Sequence, residues 1–148
     1  MISVFLCLVV AVTDGDTLKV RCGEPGDYEQ KVIRLSAIDA PEKAQAFGRK
    51  SKEALSDLCF KEMASIKQTA ADRYGRIVAD VECKKIDVGT HMVSTGYAWV
   101  YDKYAKGYSH LYPLQDHAKA KKLGLWKDLE TKSPPIPPWK FRKNKRGE

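Results

Sequence analysis

Arg34-Leu35-Ser36-Ala37-Ile38-Asp39-Ala40-Pro41-Glu42 changes character halfway along. Up to Ser36 it continues an alternating run over 29–36, with Val32, Arg34 and Ser36 on one face and Ile33 and Leu35 on the other. That period of two predicts a strand. Pro41 has no amide hydrogen to give a ladder and biases Ala40 towards extended backbone, so Asp39-Ala40-Pro41-Glu42 should be a loop at the rim of the sheet. Asp39 and Glu42 stand three apart there and can converge on one point. The blander alternative is a solvated loop, or an N-cap for the helix that follows. Arg34, between apolar neighbours, reads by itself as a strand residue reaching out to water.

Upstream, two apolar runs (5–13 and 16–22) flank Asp14-Gly15, the signal of a two-residue hairpin in which both central positions take positive φ. Thr13 then faces Asp16, Val9 faces Val20 and Cys7 faces Cys22, unless a bulge shifts the register. Turn chemistry accounts for Asp14 and Gly15 but not for Asp16, since acidic residues are depleted in strands.

Downstream, 48–60 places Ala54, Leu55, Leu58 and Cys59 on one helical stripe. Strands are expected near 63–70 and 76–83 around the turn Asp72-Arg73-Tyr74-Gly75. Asp87 should cap a short helix carrying Val88 and Met92 and stopped by Gly96; 97–101 is β-prone. A last helix should run from near Pro113 to Gly124, burying Leu114 and Ala118. Gly23-Glu24-Pro25-Gly26 is a loop. Short strands interrupted by about three helices predict a mainly β fold with helices, a small barrel with the helices packed on it.

The 148 residues suit a single core, and 43% apolar against 30% charged residues excludes a disordered chain. The net charge is +7, of which the segment 139–148 alone supplies +4, leaving +3 for the body. A basic balance suits a polyanionic partner without proving one. From Ser133 to Pro138 the Pro-rich composition predicts extended chain without its own core. The domain is therefore drawn over 1–132 and a Pro-rich, basic tail over 133–148.

Cys7, Cys22, Cys59 and Cys83 form no C-x-x-C, and His91, His110 and His117 lack ligand spacing, which excludes an ordinary zinc site. Cross-strand neighbours lie about 4.5–5.5 Å apart, so Cys7 and Cys22 are within disulfide reach. Cys59, ending a helix, and Cys83, ending a strand, form the second candidate pair. Four buried free thiols are the alternative reading. Two bridges imply an oxidising compartment. Residues 1–12 are apolar but lack a basic start and a cleavage site, and are too short to cross a membrane. They are read as the first strand, with a leader absent because the form is mature or the start misassigned.

The order V-x-D-G-D-T, R-L-x-A-I-D-A-P-E, D-R-Y-G-R, the last at Asp72–Arg76, resembles the staphylococcal-nuclease (thermonuclease) family, over about Val10 to Trp126. A secreted or periplasmic bacterial member is the closest description. The resemblance implies an OB-fold, a five-stranded barrel, and a calcium-dependent endonuclease that cleaves DNA and RNA and leaves 3′-phosphate ends. Asp16, Asp39, the backbone carbonyl of Ala40 and, through water, Glu42 are then the metal ligands; Arg34, Glu42 and Arg76 are the catalytic residues. Ala40 stands where the family usually has threonine, but keeps the carbonyl. All-oxygen ligands in a loop-built site suit Ca2+, with Mg2+ or Mn2+ possible. Tyr74, Tyr101 and Tyr104 are candidate nucleotide-stacking residues.

Two rival functions share these residues: a catalytically inactive nucleic-acid-binding OB-fold module, and a protein-interaction domain docking through residues 134–138 and the basic tail. Filled carboxylate and arginine positions favour activity. DNA and RNA are the expected partners, with no membrane and a monomeric chain.

Overall fold

The computed structural model describes residues 4–147, so the first three residues of the apolar run and Glu148 lie outside the described part. An antiparallel ribbon comes first, β1 (Val4–Asp14) against β2 (Thr17–Glu24), and β3 (Asp27–Leu35) adds to it across the Pro25-Gly26 turn. The other edge of β1 pairs with β5 (Met63–Ala71), and β5 pairs with β6 (Ile77–Cys83). Parallel pairing of β3 with β6, Ile33 to Ile77 through Leu35 to Ala79, closes these five strands into a barrel. Alternation fills it: Cys7, Val9, Leu18, Val20, Ile33, Leu35, Ile66, Ala79 and Val81 are all buried.

Two-residue strands β4 (Ile38–Asp39) and β8 (Trp99–Val100) pair at one rim, while β7 (Ile86–Asp87) extends the β6 edge. Helix α1 (Gly48–Cys59) packs on β1 with Leu55, Leu58 and Cys59 buried. Helix α2 (Val88–Ser94) starts on the Asp87 side chain, which accepts from the Thr90 N–H, and α3 (Leu111–Ala120) packs against α2. Trp126, buried in a 3-10 turn, meets Ala118, Leu125 and Trp99. The chain ends in α4 (Pro138–Lys145).

Several local expectations change. Cys7 faces Cys22 and Val9 faces Val20, but two irregularities then put Ala11 opposite Lys19 and Asp14 opposite Thr17. The turn is therefore centred on Gly15-Asp16, not Asp14-Gly15, Thr13 does not face Asp16, and neither Asp14, Gly15 nor Asp16 has positive φ. Gly15 is required by crowding instead: a Cβ there would lie 1.8 Å from Ser51 Oγ and 2.9 Å from Ala40 Cβ. Asp39 belongs to a short strand, and the loop starts after it. Helix α3 begins at Leu111 rather than Pro113, because a proline in the first turn costs no intrahelical bond. It ends at Ala120, short of Gly124. Four α-helices occur among the described residues, the three expected on the barrel and α4 in the tail.

Both disulfides are present. Cys7–Cys22 bridges the ribbon with a Cα separation of 4.5 Å, and Cys59–Cys83 ties the end of α1 to the end of β6 at 5.4 Å.

Candidate active site

Three segments meet at the β4–β8 rim because two glycines let them. Gly15 admits the side chain of Ser51 from α1, as above. At Gly48, the first residue of α1, an added Cβ would sit 2.0 Å from the Glu42 carbonyl oxygen. The first turn of α1 is thus pressed against both the turn that carries Asp16 and the loop that carries Glu42. Ser51 also donates to the Tyr97 carbonyl at 2.7 Å, tying the same helix to the segment before β8.

Asp16 is only 6% exposed. Its Oδ1 accepts from the Thr17 hydroxyl at 2.7 Å and its Oδ2 from the Ala40 N–H at 2.8 Å, which locks the hairpin turn to the acidic loop. Arg34 lies on β3 with its guanidinium turned inward. Nη1 donates to the Leu35 carbonyl at 2.9 Å, and Nη2 lies 3.7 Å from Asp16 Oδ2 and 3.4 Å from Asp39 Oδ1. One nitrogen thus addresses two carboxylates, so Arg34 is not the solvent-reaching strand residue of the blander reading.

Asp39 is 1% exposed. Burial drives its pKa up to about 6; Asp16 adds to the rise, while hydrogen bonds from Arg142 and the charge of Arg34 oppose it. Burial, aided by the charges of Asp16 and Glu42, also raises Asp14, against the pull of Lys43 and Lys52. Asp14, read from sequence as a turn residue alone, is therefore a fourth carboxylate within the field of the site.

Arg142 of α4 enters this cluster. Its Nη1 lies 3.1 Å from Asp39 Oδ1 and 2.9 Å from Glu42 Oε1, and its Nη2 lies 2.6 Å from Asp39 Oδ2. Asp39 and Glu42 are thus brought to one nitrogen, as Asp16 and Asp39 are brought to another. Among the described residues no three acidic, histidine or cysteine side chains stand at the spacing of a shared metal centre. Guanidinium groups lie between the carboxylates instead. The donor set, three carboxylates with the Ala40 carbonyl adjacent, is all oxygen and fits a hard divalent cation. The place of Arg142 shows that Asp39 and Glu42 can address a single positive centre.

Arg76 precedes β6, and β6 pairs with β3 beside Arg34. Its Nε donates to Asp72 Oδ2 at 2.6 Å, while Asp72 Oδ1 accepts from the N–H groups of Tyr74 and Arg76, both at 2.9 Å. Some burial raises the Asp72 pKa, but these bonds outweigh it and hold the carboxyl below its ordinary range. Tyr74 is 70% exposed, with the guanidinium groups of Arg73 and Arg76 at 5.0 and 5.7 Å from its ring centre. Tyr101 meets Tyr104 edge-on at 5.1 Å and lies flat against Trp139 of α4, with ring centres 5.2 Å apart and planes 5° apart.

Sequence reasoning missed Asp72 as the holder of Arg76, and it missed Arg142 and Trp139. A signal existed for the last two. Trp139 and Arg142 are three apart after a Pro-Pro helix start, and residues at that spacing share a helix face.

A family model described as "Staphylococcal nuclease homologue" matches residues 32–128. The chain is 41% identical over 140 residues to an "Uncharacterized endonuclease" of Haemophilus influenzae, covering 95% of this chain and 74% of that protein. It is 40% identical over 139 residues to an "Uncharacterized endonuclease" of Escherichia coli, covering 93% and 84%. Similarity to the "Micrococcal nuclease" of Shigella flexneri is 32% over 145 residues, covering 91% and 79%. With the closed five-stranded barrel and a match over most of its length, the chain belongs to the staphylococcal nuclease family.

Proposed function

We propose that the protein is a metal-dependent, sugar-non-specific endonuclease that hydrolyses phosphodiesters of DNA and RNA and leaves 3′-phosphate ends. The observation that carries this reading is the buried Asp16–Arg34–Asp39 arrangement at the barrel rim, with Glu42 beside it. Buried charges on this scale are costly, and they cluster where chemistry needs them.

Asp16, Asp39 and the Ala40 carbonyl would hold the cation, with Glu42 reaching it through water. Calcium is preferred for an all-oxygen, loop-built set, and magnesium or manganese also suits it. When bound, the cation supplies a Lewis acid for a phosphate oxygen and a seat for the attacking water. Glu42 Oε takes or orients the proton of that water. Arg34 and Arg76 bind the non-bridging oxygens, where a second negative charge develops as the water adds to phosphorus; the bond to the 5′ oxygen then breaks, and that oxygen takes a proton from solvent and leaves as the 5′ hydroxyl. Donors aimed at such developing charge are worth about 3–4 kcal/mol each in comparable sites. Asp72 keeps Arg76 in place. Tyr74, Tyr101 and Tyr104 offer faces on which bases stack without regard to sequence.

Two disulfides support an exported, secreted or periplasmic protein. The test of the activity is end-labelled DNA and RNA strands incubated with the protein and calcium, with and without excess chelator. Cleavage of both to 3′-phosphate products, stopped by chelator, is the expected result. Binding without cleavage under every condition would leave only the inactive binding module.

A further inference from the structure

We propose that α4 is an internal plug of the catalytic rim: Arg142 stands in for the divalent cation and Trp139 for a nucleobase, so the tail is displaced when metal and nucleic acid bind. The proposal rests on the reading of Asp39 and Glu42 as metal ligands.

Three contacts of the tail converge on the site from one short segment. The Arg142 guanidinium spans Asp39 and Glu42 with three nitrogen–oxygen distances between 2.6 and 3.1 Å. A planar fork on a carboxylate is the strongest neutralising contact a side chain can offer. Trp139 lies parallel to Tyr101, with 5° between planes, the geometry of a base on an aromatic platform. Its other neighbour is Trp99, edge-on at 5.7 Å. Finally Gln45 ties the tail to the acidic loop, accepting from the Glu42 N–H and donating to the Ile136 carbonyl.

Apart from Pro138, no residue of α4 is fully buried. The helix docks through the Trp139 ring on Tyr101 and Trp99 and through the Arg142 guanidinium on Asp39 and Glu42. The physical logic follows. Asp39, buried beside Asp16 and Glu42, needs a positive partner beyond Arg34. Arg142 supplies one from within the chain. A divalent cation must displace Arg142 to reach both carboxylates, and a base must displace Trp139 to reach Tyr101. The tail and the ligands therefore bind mutually exclusive states, and each ligand's apparent affinity is reduced by the fraction of molecules that are plugged.

The experiment uses the full chain. Calcium affinity without nucleic acid is measured by isothermal titration calorimetry for the wild type, Arg142→Ala, Trp139→Ala and Asp39→Asn, with circular dichroism to confirm folding. Arg142→Ala should bind calcium at least about tenfold more tightly, the scale of a charge-assisted pair lost to competition. Trp139→Ala should tighten it in the same direction by a smaller factor. In the wild type, calcium with a short phosphorothioate DNA strand that resists cleavage should speed tryptic cleavage at Lys140 and Lys143. Equal or weaker calcium binding by a folded Arg142→Ala, where Asp39→Asn abolishes it, overturns the plug and keeps the metal site. No binding of calcium, magnesium or manganese by either the wild type or Arg142→Ala overturns the metal reading, and the plug with it.

Discussion

Arg142 closes a two-pronged grip on Asp39 across 103 positions of sequence, with Nη1 3.1 Å from Oδ1 and Nη2 2.6 Å from Oδ2. The carboxylate it holds is 1% exposed. Even with Arg34 on its other side, burial keeps the Asp39 pKa up at about 6. The two arginines beside Asp39 oppose the rise that burial and Asp16 impose on it.

Arg34→Lys and Arg76→Lys each keep the net charge and lose the planar two-pronged donor. Turnover on a DNA strand in calcium should fall by about a hundredfold or more in each, while affinity for the strand at fixed salt falls much less. Steady-state kinetics and a binding titration on the same preparations check this.

Asp72 gives a pH signature. Its folded-state pKa is depressed, so its stabilising bonds to Arg76 and Tyr74 are fully present above the unfolded value of about 4 and are lost as pH falls through the lower folded value. Asp72→Asn should melt below the wild type at pH 6, and the gap should narrow as pH falls below about 4. A gap that is constant or widens in acid contradicts the assignment.

Gly48→Ala tests the support of the acidic loop. The new methyl would meet the Glu42 carbonyl at 2.0 Å, and backbone cannot swing aside as a side chain can. A loss of about 1–3 kcal/mol in denaturant unfolding is expected, the usual cost of overpacking. Arg49→Ala, one residue on and with an exposed side chain, should change stability little.

The bridges Cys7–Cys22 and Cys59–Cys83 close loops with sequence separations of 15 and 24. Each should contribute roughly 2–4 kcal/mol. Non-reducing peptide mapping should return these two pairs and no free thiol. Quantitative labelling of four thiols in protein matured under oxidising conditions would falsify the pairing.

The barrel was legible because its causes are local. Alternation at Val32–Leu35, the stripe of α1 and the Asp87 cap each need only neighbouring residues. The Cys7–Cys22 register was legible for the same reason, up to the irregularities beyond Val9, where one shifted residue moves the turn onto Gly15-Asp16. Gly15 and Gly48 were opaque, since what excludes a side chain there comes from Ser51, Ala40 and Glu42, brought in by the fold. Of the site, the family motifs named the carboxylates and two arginines, and the structure places Asp16, Asp39, Glu42 and Arg34 at one rim. Arg142 lay outside every motif. Its segment has little apolar pattern of its own, and its place is set by charges about a hundred residues away in sequence.

The central claim, catalysis at this rim rather than binding alone, is met most directly by Glu42→Gln, which keeps the side chain's shape and removes its charge and its proton acceptor. Single-turnover cleavage and binding of one labelled DNA strand are measured together, in calcium at fixed salt. Cleavage should fall by about a hundredfold or more with strand affinity changed only a few-fold. Cleavage at the wild-type rate, or a parallel fall in both quantities, would contradict the catalytic role of this site.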